Sequence, residues 1–307
     1  MIRVTSKALL SKTSAVSARA YLALLAGVVA ISFTAIFTKW AGVPGPVAAA
    51  WRMAVAALVL LIPFLHQVHQ RRPALREGVL WAIGGGLWFA LNLGLLNSAL
   101  LLTSAATATL LDNTAPIWVG IGATVFFRER LCGQYWAGLV LALAGASVVT
   151  GFTLADGIRL SPGHVLAALG AIFYAAYLLT TQRARRALDA LSYLWLMAAT
   201  ATLALFSGSL ALGLPLLGYS CRSYLALVAV GVICQTAGWW LINFALGHLS
   251  ASTAVVVLLA QPVVTGLLAM SLLAEPLLPR QIGGGLLELA GIYLCVRSRA
   301  GQSSGES

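Results

Sequence analysis

The sequence predicts an all-α integral membrane protein whose ten transmembrane helices form two inverted five-helix repeats. Three observations carry this expectation. First, the chain of 307 residues is 60% hydrophobic and only 9% charged, with a mean hydropathy of +0.93. Soluble domains carry roughly 25% charged residues, so a surface this poor in charge has to meet lipid. Second, apolar windows of the length a membrane helix needs, about 20 residues, recur ten times. Third, the stretch from Asn97 to Thr150 repeats without a gap as Asn243 to Val296.

The windows lie near 20–40, 46–66, 76–101, 103–126, 131–151, 162–182, 191–213, 222–245, 252–273 and 279–297. Short linkers with turn chemistry separate most of them, such as Gly42-Val43-Pro44-Gly45-Pro46 and Ser161-Pro162-Gly163. The first residues hold Arg3, Lys7, Lys12 and Arg19 and no acid, a pattern shared with secretory n-regions and transit peptides. The apolar run behind them is about 20 residues long rather than the 7–15 of a signal h-region, so it is read as a true first span. The expected organisation is a basic cytoplasmic leader (1–19), a first repeat (20–151), a second repeat (162–297) and a disordered polar tail (298–307).

Lys and Arg counts orient the chain. With the N-terminus inside, fourteen basic residues fall in the leader, in the even-to-odd loops and in the tail, among them Arg71, Arg72, Arg76, Arg128, Arg130, Arg183, Arg185 and Arg186. Only Lys39, Arg159, Arg222 and Arg280 fall outside. The positive-inside rule then puts both termini in the cytoplasm of a cell whose inner (plasma) membrane holds the protein. The net charge of +11 is explained the same way. A nucleic-acid binder would need a clustered basic face on a soluble module, and here the basic residues are dispersed between apolar runs.

The repeat has a constant offset of 146 residues, and 17 of 54 positions are identical, including Asn97, Pro116, Gly120, Glu129, Gly138 and Gly145. Leucine and alanine richness does not align a proline, a glutamate and three glycines in one register. The copies begin five spans apart, and five is odd, so the second crosses the bilayer in the opposite sense. Glu129 is expected in a cytoplasmic loop and Glu275, its equivalent, on the outer side. Inverted repeats are a recurrent plan of secondary transporters.

The segment Leu110-Leu111-Asp112-Asn113-Thr114-Ala115-Pro116, followed by Phe127-Arg128-Glu129-Arg130-Leu131 and by Gly138 and Gly145, resembles the drug/metabolite transporter superfamily, EamA type. The second copy carries the same pattern through Leu258-Leu259-Ala260-Gln261-Pro262, Glu275-Pro276-Leu277, Gly284 and Gly291, and Lys39 and Trp51-Arg52 are also similar. The resemblance implies that the two repeats surround a central cavity lined by spans 1, 3, 4, 6, 8 and 9, with spans 5 and 10 peripheral. It also implies export or exchange of amino acids or related metabolites, and it does not choose a substrate.

Several residues are candidates for the transport path. Pro116 and Pro262 each lack an N–H and free the carbonyls of Asp112 and Leu258, which makes them symmetric kinks at a gate or simple packing kinks. Asp112, inside an apolar span, has to face protein or water. It could hold a cationic group, take up a coupling proton, or bond to a neighbouring helix. Asn113 is beside it on an adjacent face. Glu288 in span 10 has Ala142 as its counterpart in the first copy, so symmetry requires no carboxylate there, and a coupling role competes with an interhelical bond or dimer contact. Trp81, Gly85, Trp88 and Asn92 form one helical stripe on span 3. Gln235, Trp239 and Asn243 do so on span 8. Tyr174, Tyr177 and Gln261 are further lining candidates. Arg52 is expected to snorkel to the outer interface, the other reading being capture of a substrate carboxylate, and Lys39 is similar.

Other chemistries are poorly served. No Gly-x-x-x-x-Gly-Lys-Ser/Thr segment is present for nucleotide. The four cysteines and the histidines His66, His69, His164 and His248 have no metal-ligand spacing. No catalytic constellation, cofactor or metal is therefore expected. The expected partners are a small-molecule substrate, the lipid bilayer and protons as the candidate coupling ion, in a monomer or weak homodimer. A passive channel, a lipid-handling protein and an intramembrane enzyme are the competing readings, the enzyme lacking a histidine partner for its two buried acids.

Overall fold

The computed structural model describes residues 18–70, 76–103, 105–150, 161–273 and 278–305. Ten helical rods follow in chain order: α1 (Ala18–Ala41), α2 (Gly45–Gln70), α3 (Arg76–Ala99), α4 (Ala105–Asp112 and Ala115–Phe127) and α5 (Gly133–Thr150). Then come α6 (Pro162–Ala184), α7 (Ala190–Ala211), α8 (Cys221–Leu246), α9 (Ala251–Leu258 and Gln261–Leu273) and α10 (Pro279–Gly305). Among the described residues, nine of these are long and apolar enough to cross a membrane. The tenth, α10, is less apolar because Gly283, Gly284, Gly285, Glu288 and a polar C-terminal stretch dilute it. Its backbone stays helical through Gly305, where the sequence reading places a disordered tail; no proline follows Pro279 to interrupt the ladder. Glu275 and residues 1–17 lie outside the described residues.

The packing obeys the inversion. Helices α5 and α10 run antiparallel in close contact along their length, because glycines on each let the backbones approach. A Cβ placed on Gly138 would lie 2.8 Å from Cys295 Sγ and 2.9 Å from the Gly291 carbonyl. On Gly284 it would lie 2.8 Å from Val148 Cβ and 3.0 Å from the Gly145 carbonyl. Gly138 and Gly284 are equivalent, as are Gly145 and Gly291, so the two contacts are one contact seen twice.

The same relation joins α3–α6 to α8–α1. Gly170 of α6 packs on the Asn92 carbonyl of α3, and Gly27 of α1 packs on the Gly238 carbonyl of α8, the position equivalent to Asn92. Helices α2 and α7 face each other across the axis, with Phe64 and Trp195 stacked at 4.1 Å. A pseudo-two-fold axis in the membrane plane therefore relates the halves.

Symmetry is broken in α8. Residues Val230–Gly238 form a π-helical stretch, with the Thr236 hydroxyl donating to the Gly231 carbonyl five residues back at 2.8 Å. Gly231 and Gly238 inside it abut Val55 of α2 and Ile31 of α1. Such segments recur at functional sites.

Glu288 is fully buried between α5 and α10, against Gly145, and its carboxyl oxygens find no partner among the described residues. Valine at Gly145 or Gly291 would drive a side chain into the facing backbone, a clash costing about 1–3 kcal/mol. Both substitutions should lower the melting temperature of the detergent-purified protein, whereas Gly283→Ala, at a position open on all sides, should leave it unchanged. Fluorescence-monitored thermal unfolding decides this, and equal melting of all three would show that the glycines do not set the contact.

Candidate functional site

Helices α4 and α9 are broken at equivalent positions. In α4 the turn is at Asn113 and Thr114, and in α9 it is at Leu259 and Ala260, 146 residues later. The first half of each ends in tight bonds, Thr114 N–H to Leu111 O at 3.1 Å and Ala260 N–H to Val257 O at 3.1 Å. Pro116 and Pro262 are the second residues of the following halves, where a missing N–H costs no helical bond. The Thr114 hydroxyl also donates to Leu111 O at 2.6 Å. Ser32, beside a break in α1 at Phe33, donates to Gln261 O at 3.4 Å and accepts at its own carbonyl from Thr265, tying α1 to α9.

Between these breaks lies a cavity of about 220 Å³, walled by α1, α2, α3, α4, α6, α8 and α9. Ligand pockets for drug-sized molecules run about 300–1,000 Å³, so this one suits something smaller. Its wall is symmetric in position and asymmetric in chemistry. Asp112 lines it opposite its equivalent Leu258, Asn113 opposite Leu259, Gln261 opposite Ala115, and Trp239 opposite Leu93. In each pair one member is polar or aromatic and the other is aliphatic.

Asp112 accepts from Asn92 Nδ2 at Oδ1 (2.8 Å), and the same amide donates to Gly170 O at 3.1 Å. That is the one hydrogen bond Asp112 makes to another described side chain, so its second oxygen is open to the cavity. A charged side chain at mid-membrane costs about 2.5–3.5 kcal/mol on insertion scales, which a polar cavity relieves.

Arg52 is the principal correction to the sequence reading. It does not snorkel to the interface. Helix α2 starts at Gly45, so Arg52 sits about 10 Å into it at 1.5 Å per residue. Its guanidinium lies 6.0 Å from the Phe89 ring and lines the cavity. Its Nε is buried without a partner, and no hydrogen bond or ion pair reaches the group among the described residues. Tyr174 stands within coulombic range of both Arg52 and Asp112.

The structure thus brings Arg52, Asn92, Asp112, Asn113, Pro116, Tyr174, Trp239 and Gln261 to one cavity. Tyr177 is fully buried behind it, stacked on Tyr174 at 6.2 Å and meeting Trp239 edge-on at 5.3 Å. Gln235 is buried in the π stretch one turn before Trp239 and does not reach the wall. Pro262 lies just behind Gln261. Trp88 faces the other way: it stacks on Phe173 at 5.6 Å and borders an apolar groove of about 460 Å³ between α3 and α7. The groove exists because Gly94 and Gly208 leave open space, so the stripe on α3 is covered unevenly along its length. Glu288 is remote, and Lys39 is exposed at the end of α1.

Phe89, Ile31, Thr34 and Val255 escaped the sequence reading, and α2 is not among the spans expected to line the cavity, although carboxylate capture is one of the two readings of Arg52. The apolar members carry no signal that separates them from packing residues. Phe89, one turn before Asn92, could have been found by extending the α3 stripe.

At the end of the bundle bearing the 128–132, 185–189 and 247–250 loops, buried aromatic side chains and hydrogen bonds join the helix ends. Tyr135, Tyr177 and Tyr193 are fully buried there, and the Thr181 and Tyr193 hydroxyls meet at 2.6 Å. Beyond them Glu129 accepts from Ser252 Oγ at 2.6 Å and from Gln182 Nε2 at 3.5 Å. Gln182 Oε1 in turn accepts from the Ala251 N–H at 2.9 Å, and Tyr135 donates to Ser252 O at 3.2 Å. Arg185 donates to the carbonyls of Asn243 (2.9 Å) and Leu188. These bonds lace the ends of α4, α5, α6, α8 and α9 together.

Comparison with known proteins agrees with this architecture. Residues 18–151 and again 161–297 match the EamA-like transporter family. A protein of Archaeoglobus fulgidus named "Uncharacterized transporter" is 30% identical over 209 residues, 64% of this chain and 69% of that protein. A Streptantibioticus cattleyicolor protein named "Probable terminal-alkyne amino-acid exporter" is 28% identical over 260 residues, 82% of this chain and 84% of the other. A crystal structure 23% identical in sequence superposes with a TM-score of 0.76 over 92% of this chain and 98% of its own, which establishes the shared fold. With both halves of the fold matched in turn, the chain belongs to the EamA-like transporter family.

Proposed function

We propose that the protein is a secondary transporter that exports or exchanges small organic metabolites, with amino acids and related compounds as the favoured class, by alternating access. The observation that carries this reading is the polar cavity lying at the seam of the inverted halves, between helices broken at equivalent positions. Half-helix termini and unwound backbone at such a seam are where secondary transporters hold substrate. The size and mixed lining of the cavity favour a small amphipathic molecule. The amino-acid exporter named among the relatives points the same way, and the relatives are transporters or exporters rather than enzymes.

In this reading the bonded network around Glu129 and Ser252 is the closed cytoplasmic gate, and both termini lie in the cytoplasm. Pro116 and Pro262 mark the hinges. Asp112 is the group that takes up a coupling proton, and the unit that transports is a monomer or a weak homodimer.

Three measurements test this. In proteoliposomes, uptake of labelled solute should saturate and should rise several-fold when unlabelled substrate is preloaded inside; linear flux without counter-stimulation would mean a channel. Asp112→Asn should abolish stimulation by a pH gradient, and retention of that stimulation would remove Asp112 from coupling. For the gate, Glu129→Ala should speed labelling of a cysteine placed at Val255, on the cavity wall, by impermeant maleimide from the Glu129 side by about fivefold or more. An unchanged rate would show that Glu129 does not hold the gate.

A further inference from the structure

The polar groups of the cavity form an incomplete electrostatic set. Arg52 brings a guanidinium that no described residue neutralises or hydrogen-bonds, its Nε buried and unpartnered. Asp112 brings a carboxylate with one oxygen held by Asn92 and the other facing the void. The two groups line the same space of about 220 Å³, yet they form no ion pair with each other. A positive and a negative side chain left separated in a membrane interior are stabilised by a ligand that carries the opposite charge to each.

We propose that the cavity is a zwitterion clamp: Arg52 binds the α-carboxylate of a free amino acid and Asp112, oriented by Asn92, binds its α-ammonium. The inference rests on the transporter reading above and narrows it from small metabolites to molecules that carry both head groups. The side chain of the ligand then lies against Phe89, Tyr174 and Trp239, whose rings pack on one another at 5.1 Å between Phe89 and Trp239 and 6.4 Å between Tyr174 and Trp239. Arginine suits the carboxylate site because its planar fork can donate two parallel bonds. The clamp reads the head group twice and the side chain only by size and apolarity, so specificity among amino acids is set by the aromatic wall and head-group specificity by Arg52 and Asp112.

The chemistry is built at positions where the repeats differ. Asp112 has Leu258 as its equivalent, and Asn92 has Gly238. A site serving the fold alone has no reason to place its one carboxylate and its one guanidinium on the same small void.

The test uses the full chain in proteoliposomes. Counterflow is first measured with each of the twenty labelled amino acids and with a panel of nucleobases, sugars and organic cations. The best amino acid is then compared with its α-amide, which lacks the carboxylate, and its N-acetyl form, which lacks the ammonium. Wild-type protein should exchange the free amino acid at least tenfold faster than either derivative. Arg52→Gln should lower exchange of the amino acid and erase its advantage over the amide, and Arg52→Lys should restore part of that advantage. Asp112→Asn should erase the advantage over the N-acetyl form while the advantage over the amide persists.

Equal transport of all three compounds by wild-type protein would overturn the clamp. So would variants that are monodisperse on gel filtration and reduce all three in the same proportion, since that is the mark of a merely structural role. If no amino acid exchanges but another solute does, the clamp fails and the transporter reading stands. If nothing exchanges, both fail.

Discussion

A bilayer offers no hydrogen-bonding partner to an open peptide group, and each unsatisfied group there costs several kcal/mol. That constraint fixes where this chain can depart from helix. The breaks at Asn113–Thr114 and Leu259–Ala260 survive because they face one another across a polar cavity and are closed by threonine and short-range backbone bonds. Once the backbone opens in the interior, polar side chains can gather around it at little added cost. The location of Asp112, Asn113 and Gln261 follows from the location of the breaks.

The inverted duplication divides the labour. Residues shared by both copies are the ones that shape the scaffold: Gly138, Gly145, Gly284 and Gly291 bring α5 and α10 together, and Pro116 and Pro262 mark the breaks. Residues that differ between copies give the cavity wall its polarity. Asp112 stands against Leu258 and Gln261 against Ala115. Two similar halves share one architecture about their axis, while a cavity with one polar or aromatic and one aliphatic member in each pair presents two chemically different sides. The π stretch of α8, which α3 lacks, adds to this asymmetry.

The dense packing at the end bearing the 128–132, 185–189 and 247–250 loops also has a simple physical origin. Tyrosines supply both bulk to exclude water and a hydroxyl to bond, so Tyr135 and Tyr193 can be buried beneath the loops without leaving the donors of either unpaired. Glu129, repeated in the second copy as Glu275, accepts here from Ser252 and Gln182. Bonds of this kind are individually modest, about 0.5–1.5 kcal/mol net or somewhat more to a charged acceptor.

Composition and the 20-residue hydropathy period were enough, by themselves, to determine that the chain is helical, membrane-embedded and duplicated, because lipid imposes length and apolarity on every span independently of its neighbours. The offset of 146 residues likewise determined the inversion, since an odd number of spans separates the copies. What only the tertiary structure decided was direction around each helix axis. In a membrane helix both the lipid face and the packed face are apolar, so the sequence could not tell that Trp88 looks toward a lipid-side groove while Phe89 looks inward, or that Glu288 is sealed between α5 and α10. Nor could it place Arg52 in the cavity, because snorkelling and inward burial use the same residue at the same depth and differ only in which neighbouring helix offers a ring and a void.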